Sequence, residues 1–217
     1  MKISLLATHF AMLLLLTGVQ TGNAQITYLD NFFVSQGVAQ TDAGNEYDYY
    51  IDEADVAGPT GVYQFIEYGS APGYGSRATI GVEHDSKLTS GDISLAGKTY
   101  SYVADDYGYA WCFAESYASS TVRFQLSSRR RVELTGNLTL VGSSPPDWYY
   151  NSVELRTASG QLIYQKTGVG PVNFSNRLVA GTYQITVVST VAREIDFSGG
   201  DVYENSNAGF NVLLRAR

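Results

Sequence analysis

Through the second half of this chain apolar and polar side chains alternate almost without a break. "TVRFQL" places Val122, Phe124 and Leu126 on one face. "RVELTGNLTL" places Val132, Leu134, Leu138 and Leu140 on one side and Glu133, Thr135, Asn137 and Thr139 on the other. A period of two sustained over that length predicts a half-buried strand and fits no helix. Gly136 interrupts the apolar side, which predicts a bulge or the close approach of another backbone. "SVELR" and "QLIYQK" flank the polar "TASG" and predict a hairpin. "TYQITVV" alternates again, with Tyr183, Ile185 and Val187 on one face, and "GFNVLLR" closes the chain with Phe210, Val212 and Leu214 together.

The turn before Tyr183 has its own logic. Gly181 supplies backbone freedom at the start of the strand. Tyr183 is then placed to bury its ring while its hydroxyl finds a partner at the edge. The first half carries β-prone segments such as "YDYYID", "RATIGVEH", "KTYSYVA" and "GYAWCFAESYA", joined by Gly, Pro and Ser turns. No amphipathic helix of three turns is visible. Strands with one apolar face each must close against another sheet. The expected fold is all-β: an antiparallel two-sheet β-sandwich, jelly-roll-like, built as a single domain over residues 25–217. Two β subdomains, 25–116 and 117–217, are the alternative.

The first residues follow a different pattern. Met1-Lys2, an apolar run centred on "AMLLLL", and the small-x-small Gly22-Asn23-Ala24 have the order of a secretory signal. Residues 1–24 are expected to be a cleaved signal helix, leaving about 190 residues for export. The expected location is secreted, extracellular or at the cell surface. Cys112 is the single cysteine, so no internal disulfide can form and the core must hold without one. Between two aromatics it reads as a small buried hydrophobe.

Charge narrows the partners. The net charge is −7. Acidic residues dominate from Gln25 to Val122, while basic residues slightly outnumber them from Arg123 onward. Such a chain is a poor candidate for nucleic acid, which needs a basic surface. Arg129-Arg130-Arg131 is a lone basic run, read as a solvated turn or as a dock for an acidic partner, including a second copy.

Catalytic chemistry has little to work with. After the leader His84 is the only histidine, and one His with one Cys builds neither a zinc site nor a nucleophilic triad. His84 in "VEHDS" is read as a surface residue at a strand end. Paired carboxylates for a glycoside-acting enzyme would come from Asp105, Asp106 and Glu115, or from the run between Glu46 and Asp55. Solvated loops are the bland reading of the same residues. Asp105 and Asp106 in "ADDYGYA" also have the hard oxygen chemistry that suits a simple Ca²⁺ site. No other cofactor is expected.

Tyrosine is unusually frequent, at 17 residues. Trp148 and Tyr149, after Pro145-Pro146 in an expected exposed loop, and Tyr107 and Tyr109 are the candidate ligand-binding aromatics. Flat rings beside polar groups suit sugars, whose rings have an apolar face and a rim of hydroxyls. Asn137-Leu138-Thr139 and Asn173-Phe174-Ser175 fit the N-glycosylation pattern.

The stretches "YASSTVRFQLSSRRRVELTGNLTL", "SVELRTASGQLIY", "FSNRLVAGTYQITVVSTV" and "NAGFNVLLRA" together resemble the β-sandwich region of bacterial exported proteins that often carry a PEP-CTERM sorting tail. More distantly they are similar to pre-peptidase C-terminal and carbohydrate-binding-like domains. The likeness covers Tyr117 to Arg217, and the Pro-Glu-Pro element of such tails is not in the sequence. The resemblance implies a sandwich fold and an exported location, and no catalytic residue. The expectation is a non-catalytic extracellular binding module for a polysaccharide or cell-surface component. A self-associating surface or matrix protein is the alternative, and a glycoside-acting enzyme the second.

Overall fold

The computed structural model describes residues 26–41, 46–56, 61–73, 75–107, 110–196 and 201–217. The expected leader and Tyr109 lie outside the described residues. Every regular element described is a strand: β1 (Thr27–Thr41), β2 (Glu46–Val56), β3 (Gly61–Pro72), β4 (Ser76–Leu88), β5 (Asp92–Asp105), β6 (Trp111–Leu126), β7 (Arg130–Gly142), β8 (Trp148–Thr157), β9 (Leu162–Thr167), β10 (Gly170–Leu178), β11 (Gly181–Asp196) and β12 (Val202–Ala216). They form two six-stranded sheets. The first runs β2-β1-β6-β11-β8-β9 and the second β10-β7-β12-β5-β4-β3. The expected antiparallel two-sheet sandwich is the observed fold.

The pairing from β5 to β12 is that of a jelly roll. β8 pairs with β9, β7 with β10, β6 with β11 and β5 with β12. That is one long antiparallel ribbon, rolled so that successive pairs fall in alternate sheets. β1 and β2 extend the first sheet beyond β6, while β4 and β3 extend the second beyond β5. Both halves of the chain therefore share both sheets.

The alternation read in the sequence is the inner face. Val122, Phe124, Leu126, Val132, Leu134, Leu138, Ile185, Val187, Val212 and Leu214 are fully buried in one large cluster. Burying each such side chain stabilises the fold by about 2 kcal/mol. Cys112 is buried in a second, smaller cluster with Ala78, Ile80, Val103 and Ala114. Gly136 has φ +151°, and a Cβ there would lie 2.0 Å from the Asn211 carbonyl oxygen of β12. The predicted close approach is the one the fold uses.

Between the two clusters the sandwich is lined by hydroxyls. Ser101 Oγ of β5 donates to the Val191 carbonyl of β11 at 2.9 Å and lies 3.2 Å from Ser116 Oγ of β6. Ser116 Oγ donates back to the Tyr100 carbonyl at 2.8 Å. Thr99 Oγ1 meets Ser189 Oγ at 3.3 Å. Side chains this short reach the facing sheet directly, so no large residue fits between them, and each of these four hydroxyls has a partner.

His84 corrects the sequence reading. It lies inside β4, is 3% exposed, and faces the interior rather than solvent. Its Nε2 is 2.7 Å from Ser86 Oγ, and its ring lies 4.4 Å from that of Phe33. Strand parity decides this: Ile80, Val82, His84, Ser86 and Leu88 are all buried, and a period of two carries His84 inward with the even positions.

Candidate functional site

An interior of small residues sends the large ones outward. In "TYSY" of β5, Thr99 and Ser101 are buried and Tyr100 and Tyr102 face out. In "WCFAESYA" of β6, Cys112, Ala114, Ser116 and Ala118 are buried while Trp111, Phe113, Glu115 and Tyr117 are half-buried on the outer face. Both outer faces of the sandwich therefore carry aromatics.

On the second sheet these aromatics adjoin a groove. Register aligns Tyr68 of β3, Gly81 of β4 and Tyr100 of β5 in one row. Gly81 is buried between the two tyrosines. The next rows along add Tyr102 beside Thr79 and Arg77 beside Ala104. The Arg77 guanidinium lies over the Tyr102 ring, 5.4 Å from its centroid. In the other direction lies a groove of about 460 Å³ lined by Ile66, Glu83, Asp85, Ala96, Lys98 and Asn211, with Gly97 in its floor.

One polar pair here is held in place. Tyr68 Oη donates to Glu83 Oε1 at 2.5 Å, and that bond is the main cause pushing the phenol up to about 12. Burial raises the Tyr100 phenol as well. Tyr68 and Ile66 remain 51% and 64% exposed, so ring and alkyl surface stay available beside fixed polar atoms. Tyr203, at the far end of the face, donates to Asp106 Oδ1 at 2.7 Å. A groove with an amine, an amide and two carboxylates, flanked by the Tyr68 ring, can hold a polyhydroxylated ring by hydrogen bonds and stacking.

The first sheet presents a more apolar face. Trp148 pairs with Ala192, which pairs with Glu115; Tyr150 pairs with Thr190, which pairs with Tyr117. Trp111 and Phe113 stack at 6.4 Å with planes 6° apart. Burial among these neighbours raises the Glu115 carboxyl above its ordinary range. A small hollow of about 120 Å³ opens between Glu115, Tyr117, Gln36 and Val38.

The sequence-predicted residues are dispersed. Trp148 and Tyr149 are exposed, at 45% and 39%, but they begin strand β8 rather than occupying a loop. The preceding segment is tied down by Arg193, 1% exposed, whose guanidinium donates to Pro145 O at 2.6 Å, to Ser144 O, and to Glu204 Oε2 at 2.9 Å. Tyr107 is 60% exposed, and its ring covers Gly75 at another part of the molecule.

Asp105 is 1% exposed and accepts from the backbone N–H of Tyr107 at 3.0 Å and of Ala110 at 2.9 Å, shaping its own loop. Asp106 is exposed and faces Tyr203. Among the described residues no three His, Cys, Asp or Glu side chains gather as they would around a metal ion. Glu115 belongs to the outer face of the first sheet, apart from both aspartates.

Tyr68, Tyr100, Tyr102, Glu83, Lys98 and Arg193 were not singled out from the sequence. A signal existed for two of them: in "KTYSYVA" the hydroxyl residues occupy one face and the tyrosines the other, so burying the small face exposes the large one.

The fold and this face define a jelly-roll sandwich with an aromatic and polar groove on one sheet. No protein-family model and no curated protein matches the chain. Among solved structures it is similar to a chain from infectious bursal disease virus, Gx strain, at 12% identity and TM-score 0.26, covering 91% of this chain and 59% of that one. A chain from the Gt strain is 9% identical at TM-score 0.22, covering 89% and 79%. This chain thus spans about three fifths of the length of the Gx-strain chain.

Proposed function

We propose that this protein is an exported, non-catalytic carbohydrate-binding module that holds its ligand on the outer face of the second sheet. The observation that carries the reading is the groove lined by Glu83, Asp85, Lys98 and Asn211, beside the exposed Tyr68, whose hydroxyl bonds to Glu83, and the half-buried Tyr100. The geometry favours holding over cleaving. Glycoside hydrolysis needs two carboxyl groups flanking the scissile bond, whereas Glu83 and Asp85 are two residues apart on one strand and form one wall. The signal-like leader and the resemblance to exported sandwiches support the extracellular location.

A glycan array run in calcium and in chelator tests this. Wild type is expected to retain a defined set of polysaccharides, Tyr68→Ala and Tyr100→Ala to lose them at least ten-fold, and no sugar to be released. Binding that vanishes in chelator shows that the ligand is held with calcium support. No retention in either condition, or retention untouched by both tyrosine variants, overturns the reading.

A second reading has its own observation. The outer face of the first sheet exposes Trp148 and Tyr150, with Tyr117 half-buried across Thr190 from Tyr150, and exposed apolar surface of this kind is what protein contacts use. It supports a self-associating surface or matrix component, for which light scattering would show growth with protein concentration that Trp148→Ser abolishes.

A further inference from the structure

The outer face of the second sheet has a basic end, and it is built by register. Arg177 of β10 stands opposite Arg131 of β7. Arg131 in turn exchanges both backbone hydrogen bonds with Arg217, at 2.9 Å each. Three guanidinium side chains therefore share one cross-strand row. All three positions are exposed and lie on the outer face, since Val132, Leu178 and Ala216 beside them are buried.

Like charges directly opposite one another in a ladder destabilise it, and little here offsets the row. Among the described residues the side-chain carboxylate paired with the row is Glu133, 3.1 Å from Arg131 and 3.8 Å from Arg217, and Arg131 Nε also donates to Ser175 Oγ at 3.0 Å. Arg177 makes no ion pair with any described residue, and Arg129 stands exposed just beyond. In a chain of net charge −7, a run of cations sharing one side-chain carboxylate has the charge to take up an anion. Arginine suits the task because its planar fork binds sulfate or carboxylate oxygens two at a time.

The row lies on the same sheet face as the groove. Arg217 is six residues along β12 from Asn211, which lines the groove, a span of about 20 Å at ~3.3 Å per residue. Only an extended ligand can touch both.

Resting on the carbohydrate reading above, we propose that the ligand is an anionic polysaccharide: sugar rings lie along the groove beside Tyr68 and Tyr100, and a sulfate or carboxylate on the same chain is seated by Arg177, Arg131 and Arg217. The polymer's charge selects it, and the tyrosines supply the ring contacts.

The test titrates the full processed chain with dextran, dextran sulfate and alginate, followed by calorimetry at low and at high salt. Dextran sulfate and alginate distinguish sulfate from carboxylate as the group seated. Wild type is expected to bind at least one anionic polymer at least ten-fold more tightly than dextran, with affinity falling steeply as salt rises. The Arg131→Gln, Arg177→Gln double variant is expected to lose that preference while keeping its melting temperature. Tyr68→Ala is expected to weaken all polymer binding.

Equal affinity for charged and neutral polymers, or a charge preference untouched by the arginine variant, overturns the proposal while leaving the carbohydrate reading standing. Anionic binding lost in the arginine variant but unchanged in Tyr68→Ala keeps the anion site and sinks the groove reading. No binding to any of the three polymers overturns the proposal. So does salt-sensitive self-association of the protein alone that the arginine variant abolishes, since the row then docks a second copy.

Discussion

The Tyr183 hydroxyl donates to the carbonyl of Val179, four residues upstream, at 2.8 Å. The bond ties the turn at Ala180-Gly181 to the first buried ring of β11, and that ring stacks on Phe124 with centroids 5.8 Å apart. The arrangement is the tyrosine corner met in other sandwiches. Gly181 serves it with φ +158°, and a Cβ there would be in van der Waals contact with the Tyr183 ring at 3.8 Å.

Tyr183→Phe keeps the ring and removes only the donor. The expected loss is about 1–2 kcal/mol, the usual cost of one deleted hydrogen bond at a part-buried site. Urea unfolding is expected to show a lower midpoint with an unchanged slope. An unchanged midpoint would remove the corner from the list of stabilising features.

His84 makes the fold acid-sensitive. Burial lowers its imidazole from 6.5 to about 4, the neighbouring Asp85 charge acting weakly in the opposite sense. Between those values the unfolded chain takes up a proton that the folded one refuses. The stabilisation is therefore complete above about pH 6.5 and is lost progressively as pH falls toward 4, a change of about 3 kcal/mol in all. Urea midpoints at pH 7.5 and 4.5 are expected to differ more in wild type than in His84→Gln. Parallel pH profiles for the two proteins would contradict this.

Gly136 is expected to tolerate no side chain. Its Cβ would meet the backbone of β12 at Asn211 and Val212, which cannot move without opening the ladder between β7 and β12. Gly136→Ala is expected to cost roughly 3 kcal/mol, combining overpacking with an unfavourable φ. Thermal unfolding reads it, and a melting temperature equal to wild type would refute the close approach.

Arg193 closes one end of the sandwich by binding Ser144, Pro145, Glu204 and Asn205 at once. Arg193→Met removes the charge and leaves three carbonyls and the partly exposed Glu204 carboxylate without that donor. Losing a charged donor of this kind costs about 2–3 kcal/mol. Faster proteolytic cleavage within Ser143–Asp147 is expected to accompany the lower melting temperature. Wild-type resistance in the variant would show that the segment is held by other means.

Much of the candidate site is absent from any local pattern. Trp148, Tyr149 and Tyr107 stand out in the sequence as clustered aromatics, and all three are exposed, but they lie at separate places. The groove exists only once β3, β4, β5 and β12 are in register, because its walls come from residues far apart in the chain. The arginine row is the same kind of object: Arg131 is visible in a basic run, while Arg177 and Arg217 look isolated until pairing brings them alongside.

By itself the sequence determined that the chain folds as sheets and which side of most strands in the second half turns inward, since a period of two is a property of the backbone and apolar side chains leave water wherever they fall. It also determined the Tyr183 turn, which is a local bond. Tertiary structure alone decided which strands are neighbours, and so decided where the groove lies and that three arginines meet. Those outcomes depend on which partner each strand finds across the sheet and across the sandwich, and that choice is made by the summed packing of all twelve strands.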